Sequence, residues 1–317
     1  MVNFNKYNEK KFGAYYRICS ILSDNSGGGT VRYSKQRLNT RVGKCKLANQ
    51  AFLEWFIGFF EGDGSLIMTK RGNLMFVITI HTRDKQILEK IQKTLGFGSV
   101  IVQGPTTHRY VVQNHPDLYK ILCILNGNLI LPARKEILKK FVRAYNEKAL
   151  RNNLLPVNHK ESVCLPAPYS AWTCGFTDAE GCFTISFLPG TPFRIRYILT
   201  QKTTRLFYNT LLNFFNTGAI EKHSRPNVFS YVMSACKNCY NVVYPYFKEF
   251  PLQTKKAQSF KIWSEIHCEI ERKQHLIPSR RVVLKELAKT INNQNKLHLQ
   301  KKHEIALLEK DNLLITD

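Results

Sequence analysis

The 317-residue sequence is short of acid: 23 Asp and Glu stand against 47 Lys and Arg, a formal net charge of +24 with histidine neutral. That imbalance is unlike an ordinary enzyme of small metabolites and is the footprint of a polyanion binder, a protein that neutralises many phosphates. Long apolar runs are also lacking. None approaches the roughly 18 residues that a spanning helix needs, and the first thirty residues carry Lys6, Glu9, Lys10, Lys11, Arg17 and Asp24 with no hydrophobic signal region, so neither membrane insertion nor secretion is expected. The nine cysteines are scattered and odd in number, against a disulfide framework and for a reducing compartment. Cys236 and Cys239 form one CxxC, but no second pair of ligands follows at zinc-site spacing, and His267 and Cys268 lie far along the chain. They read as two ordinary thiols at a helix start.

What the chain has is 44% hydrophobic and 12% aromatic residues, enough for one or two cores, and a repeat. Trp55-Phe56-Ile57-Gly58-Phe59-Phe60-Glu61-Gly62-Asp63-Gly64 returns 117 residues later as Trp172-Thr173-Cys174-Gly175-Phe176-Thr177-Asp178-Ala179-Glu180-Gly181. Trp, Gly, Phe, acid, small residue, acid and Gly fall at the same offsets, an internal duplication. After each helix comes a hairpin, 65–69 turning at Lys70–Asn73 into 74–80 and 182–188 turning at Pro189-Gly190 into 193–201. A short amphipathic helix (84–95; 204–215), a stretch punctuated by Gly98 or Gly218, a second hairpin and a final helical segment complete each copy. The expected class is α+β, one antiparallel sheet per copy with helices on one face. The expected layout is a basic extension over 1–45, a first repeat over 46–150, a linker over 151–165, a second repeat over 166–270 and a charged helical extension over 271–317.

Gly58 and Gly62, and Gly175 and Ala179, are four apart and give each helix a small face; because glycine inside a helix costs about 1 kcal/mol, a packing reason is expected. The simplest partner for one such face is the other. Asp63 and Glu180 close their helices, where the macrodipole disfavours a carboxylate. Were the helices packed in parallel, the two acids would arrive side by side and either raise each other's pKa or require a cation between them, for which a hard divalent ion such as Mg²⁺ is the usual solution. Glu61 and Asp178, two residues earlier, point elsewhere and are assigned supporting roles.

At these residues the sequence resembles the LAGLIDADG homing endonucleases, specifically the single-chain type with two motifs; 56–64 and 173–181 are its versions of the signature, and the resemblance spans roughly 47–270. It implies two pseudo-symmetric αββαββα repeats whose sheets form a saddle over double-stranded DNA, with the motif helices packed at their interface. It further implies a monomer that hydrolyses one phosphodiester per strand at a long target, using Mg²⁺ or another divalent such as Mn²⁺. Asp63 and Glu180 carry over as metal-binding acids, with the carbonyls of Gly62 and Ala179 as further ligands. Gln201 and Arg205 match the segment that orders water around the metals, whereas the first copy has Ile80 and Asp84 at those places, so the two halves differ. A basic catalytic residue near the start of the last helix of each copy falls on Lys255 or Lys256 and on Lys135 or Arg134. Strand alternation exposes Arg194 and Arg196 for DNA contact, with Lys70, Arg71, Asn73, Gln103, His223 and Arg225 as further contacts. The family's habits also imply an organellar origin, chloroplast or mitochondrial. Two other readings share the motifs: a maturase that binds intron RNA, and a DNA-binding regulator that does not cleave. Loss of a motif acid would favour either, and both acids are present.

Overall fold

The computed structural model describes residues 49–161, 170–203, 205–222 and 225–293. The chain divides into two compact units, Met1–Cys164 and Leu165–Asp317.

The first unit opens with α1 (Gln50–Asp63), started by Asn49, whose Oδ1 accepts from Phe52 N at 2.8 Å. From Phe52 to Glu61 every residue except Glu54 is buried, so α1 is a core helix rather than a surface one. The strands β1 (Gly64–Met68), β2 (Leu74–His81), β3 (Ser99–Gly104) and β4 (Thr107–Val112) form an antiparallel sheet in the order β1-β2-β4-β3. Between β2 and β3 runs the amphipathic α2 (Lys85–Leu95), which buries Ile87, Leu88, Ile91 and Leu95 at helical spacing. The helices α3 (His115–Leu125) and α4 (Pro132–Arg151) follow β4, and both pack on β2.

The second unit repeats this plan. Its elements are α5 (Trp172–Glu180), β5 (Gly181–Phe187), β6 (Phe193–Lys202), α6 (Arg205–Phe215), β7 (Ala219–Lys222) and β8 (Val228–Met233), with sheet order β5-β6-β8-β7. A helical turn at Cys236–Asn238, a π-helical turn at Cys239–Val243 and α7 (Tyr244–Glu249) lead to α8 (Lys256–Glu271) and α9 (Pro278–Ala288). The duplication extends to side chains: Trp55 stacks on Phe59 and Trp172 on Phe176, both with ring centroids 4.9 Å apart. Tyr110 OH donates to Phe97 O and Tyr231 OH to Thr217 O. Each tyrosine ring lies over a glycine, Gly98 (φ +78) or Gly218 (φ +106), where an added Cβ would come within 2.6 Å of it. Both the left-handed backbone and the close approach require glycine there.

Up to residue 271, each repeat has one long helical segment more than the αββαββα order read from the sequence, because the final helical segment is broken. Gly127 takes φ +84 between α3 and α4, and Pro251, lacking an N–H to continue a helix, stands between α7 and α8. The stretch read as a linker is fastened to the first unit as far as it is described: Val157 is buried and exchanges two hydrogen bonds with the Asn146 side chain, at 2.8 and 2.9 Å. The C-terminal extension is likewise part of the second unit up to residue 293. Leu284 and Ile291 are buried, and the Arg281 guanidinium holds the β5–β6 turn by donating to the carbonyls of Leu188 (2.9 Å), Thr191 (3.0 Å) and Pro192 (2.8 Å). Among the described residues no helix is long and apolar enough to cross a membrane.

Candidate active site

Asp63 and Glu180 are the last residues of α1 and α5, both half-buried, and each is followed at once by a glycine that begins a strand. A Cβ on Gly64 would lie 2.1 Å from the Phe60 ring, and one on Gly181 would lie 2.4 Å from Thr177 Cγ2. The chain can therefore leave the helix for the strand only with no side chain at that step, which fixes the acid at the junction.

The earlier acid of each motif does a different job. Glu61 is fully buried, and its Oε1 accepts from Ile130 N at 2.8 Å and Leu131 N at 2.7 Å, the main-chain amides that lead into α4. Asp178 does the same at the start of α8, taking Thr254 N (2.9 Å) and Thr254 Oγ1 (2.6 Å) on Oδ1 and Gln253 N (2.9 Å) on Oδ2. A carboxylate at a helix N-terminus satisfies orphan donors and meets the positive end of the dipole.

A cation from the other helix answers each acid. Arg134, in the first turn of α4, donates to Glu61 O and Gly62 O, both at 2.9 Å, with its guanidinium 5.8 Å from the centre of the Phe60 ring. Lys256, the first residue of α8, donates to Thr177 O at 3.1 Å and Ala179 O at 2.5 Å. In both units the motif helix and the last long helix of its repeat are thus joined reciprocally, acid to N-terminus and cation to C-terminal carbonyls. Of the four basic residues offered by the sequence, Arg134 and Lys256 donate to carbonyls of the motif helices. Lys135 lines a surface hollow with Gly127, Lys139, His159 and Lys160, and Lys255 occupies the N-cap position of α8. The carbonyls of Gly62 and Ala179, expected as metal ligands, each already accept from a cation.

Gln201, on β6, donates through Nε2 to Glu180 Oε1 at 2.9 Å, while its own Oε1 accepts from Lys202 N at 2.8 Å. The backbone of Gln201 is pinned in turn by Tyr208, whose hydroxyl oxygen accepts from Gln201 N at 2.7 Å. Burial and the nearby Glu180 charge push the Tyr208 phenol well above its ordinary range, so it stays neutral. In the first unit β1–β2 pairing sets Gly64 opposite Ile78, as Gly181 is set opposite Leu199, so Ile80 is the register counterpart of Gln201. Ile80 is buried and offers no polar group. Arg205 is exposed at the first turn of α6.

On the sheets, Lys70, Arg71 and Asn73 are exposed in the β1–β2 turn, Gln103 is exposed at the bulge of β3, and Arg225 is exposed in the β7–β8 turn. Arg194 is exposed on β6, but Arg196 is half-buried and paired with Glu221 of β7 across the sheet face, which makes it less available than strand alternation alone suggests. His223 lies outside the described residues. Sequence reasoning missed Arg109, which shares an outer face with Thr79 and donates to its Oγ1 at 2.9 Å. The signal was present, since Arg109 alternates with the fully buried Tyr110.

The arrangement defines a duplicated α+β scaffold that carries one carboxylate at the end of each motif helix and a basic outer sheet surface. A family model described as LAGLIDADG endonuclease matches residues 56–145 and 173–267, more than half of the chain, and the chain belongs to that family. It is 36% identical over 251 residues to the probable intron-encoded endonuclease 4 of Neurospora crassa, covering 77% of this chain and 45% of that protein. With the intron-encoded RNA maturase bI4 of Saccharomyces cerevisiae it shares 27% identity over 216 residues, 67% of this chain and 32% of the relative. The chain thus spans half or less of the length of these relatives. Among solved structures, the LAGLIDADG meganuclease I-AabMI bound to uncleaved DNA shares the fold, with a TM-score of 0.65 at 21% identity over 76% of this chain and 99% of that one.

Proposed function

We propose that this chain is a site-specific double-strand DNA endonuclease that acts as a monomer and depends on a divalent cation. The observation that carries the reading is that the acid-ended helix, the strand-starting glycine and the reciprocal join to a second helix recur in both family-matched segments. Two such motifs in one chain remove the need for a second copy.

The donor chemistry of the acids fits a hard cation. Asp63 and Glu180 offer carboxylate oxygens at the negative ends of their helices, where a positive ion is favoured, and oxygen ligands suit Mg²⁺ or Mn²⁺. When bound, such an ion supplies an activated water and neutralises charge developing on a phosphodiester. The protein's own contribution is positional. Gln201 holds Glu180 through Oε1, and Arg134 and Lys256 hold the motif helix ends while adding positive charge next to where a phosphate would bind. Arg109, Arg194, Lys70, Arg71 and Arg225 supply phosphate or base contacts on the sheets. The intron-encoded fungal relatives favour a mitochondrial origin over a chloroplast one.

The test is selection of cleaved sites from a random DNA library by the purified full-length protein, with Mg²⁺ and with chelator. A single long site cut on both strands only with the cation supports the reading. Tight DNA binding with no cleavage in any divalent ion would assign the chain to a non-cleaving branch, and preference for structured intron RNA over every duplex would assign it to the maturases.

A further inference from the structure

Cys236 opens the helical turn after β8, and His267 and Glu271 lie one turn apart on the same face of α8. The fold brings Cys236 to partners 31 and 35 residues away in sequence. Cys236 Sγ is 2.9 Å from His267 Nε2 and 3.0 Å from Glu271 Oε1, and the latter two atoms are 3.6 Å apart. The His267 side chain is 1% exposed and sits between the rings of Tyr240 and Trp263, whose centroids are each 5.6 Å away, whereas the Glu271 side chain is 50% exposed. The imidazole is thereby fixed in direction, and the carboxylate side leaves a path from solvent.

We infer that Cys236, His267 and Glu271 form a binding site for one transition-metal ion, with Zn²⁺ the ion their chemistry favours. One sulfur, one imidazole nitrogen and one carboxylate oxygen converge within 4.8 Å of one another, the cluster with this property among the described residues. All three donor types belong to the Zn²⁺ repertoire, and three protein ligands leave a fourth, tetrahedral position for water. Bonds of about 2.3 Å to sulfur and about 2.0–2.2 Å to nitrogen and oxygen place tetrahedral ligands about 3.3–3.6 Å apart, so the thiol must open by about half an ångström from its two neighbours. Cys236 and Glu271, both outside the core, can supply that by small side-chain rotations. A thiolate and an imidazole discriminate against Mg²⁺ and Ca²⁺, which separates this site from the oxygen donors at the motif helix ends.

The CxxC of the sequence is therefore not the unit of the site. Cys239 is buried and donates to Met233 O at 3.5 Å, turned into the core. The partners of Cys236 come from α8, the helix whose N-terminus is joined to the motif helix by Asp178 and Lys256. An ion there would tie both ends of α8 into the second unit, adding stability by mass action.

The test uses the metal-free full-length protein kept reduced by a phosphine. Titration with Co²⁺ should give a thiolate-to-metal charge-transfer band, with tetrahedral ligand-field bands, that saturates at one equivalent of this site. Zn²⁺ should displace the Co²⁺, a large excess of Mg²⁺ should not, and Zn²⁺ should raise Tm. Cys236→Ser should abolish the charge-transfer band. Because loss even of a group that only supports a ligand weakens metal binding about 10–100-fold, Glu271→Gln should weaken Co²⁺ binding by at least about tenfold. Its half-exposed side chain lets that variant fold, so it decides the matter if Cys236→Ser does not. Absence of the band in the unsubstituted protein, or a band of unchanged affinity in Glu271→Gln, would overturn the proposal.

Discussion

The side-chain amide of Gln201 holds the carboxylate of Glu180, Nε2 to Oε1 at 2.9 Å, and the register counterpart of Gln201 in the other unit is the buried Ile80. The two acids that the proposed reaction requires are thus supported differently. A neutral donor orients Glu180 without cancelling its charge, while Asp63 has an apolar residue at the same place.

Substituting Gln201→Leu, which gives the second unit the character of the first, should therefore slow cleavage rather than loosen binding. Loss of a group that orients a ligand costs about 10–100-fold, and that is the expected fall in double-strand cleavage rate, with nicked DNA accumulating. DNA affinity and Tm should hold. Equal slowing of both strands with no nicked species would remove the asymmetric role.

The join between helices makes an opposite prediction for Glu61 and Asp178. Each is buried and accepts main-chain N–H groups, and hydrogen bonds to a charged group contribute about 1.5–3 kcal/mol. In Asp178→Asn one carboxylate oxygen becomes an NH₂ facing an N–H, leaving a buried donor unsatisfied. Stability of Asp178→Asn should drop by about 1.5–3 kcal/mol in urea unfolding, that of Glu61→Gln by less, because both of its main-chain donors sit on Oε1 and an amide oxygen can keep them, and activity should fall only as far as the folded fraction does. Unchanged midpoints would show that the helix ends are held by other contacts.

These joins also mark where the sequence stops being legible. The duplication could be read directly, because Trp, Gly, Phe, acid and Gly recur at fixed offsets and β5 and β6 alternate between buried and more exposed residues. What Glu61 touches could not, since its partners lie 69 and 70 residues away, and those of Asp178 lie 75 and 76 away. That Arg134 and Lys256 donate to carbonyls of the motif helices could not be read either. That depends on the angle between two helices, which no local pattern encodes. The docking of Arg281 on a turn some 90 residues earlier was hidden for the same reason.

Charge predicts how affinity responds to salt. A chain of net charge +24 that displaces several counterions should show log K falling linearly with log[salt], with a slope of about −0.9 per phosphate contact. Arg194→Ala and Arg109→Ala should each reduce that slope by about one if the side chain contacts phosphate, and relax target preference at one position if it reads a base. Arg196→Ala should do less, because its guanidinium is already paired with Glu221. A flat salt dependence in filter-binding or anisotropy measurements would remove the electrostatic argument.

The last prediction separates chemistry from folding at Asp63 and Glu180. Both close a helix at the end where the dipole is negative, and neither helix has a basic residue in its last turn. Their amide replacements remove a charge that the dipole disfavours but that the nearby cations of Arg134 and Lys256 offset, and Gln at position 180 can still accept from Gln201. Stability of Asp63→Asn and Glu180→Gln should therefore hold to within a few tenths of a kcal/mol, the scale of a dipole interaction at a partly exposed site. Affinity for the target should survive, since phosphate contacts on the sheets supply most of it, while double-strand cleavage should collapse because the hard oxygen ligand is gone. If the acids instead hold the helix-to-strand junction, the same variants will melt earlier and retain activity in proportion to the protein that stays folded. Measured together, Tm, target affinity and cleavage distinguish the two outcomes, and full cleavage by both folded variants would end the metal-ligand assignment.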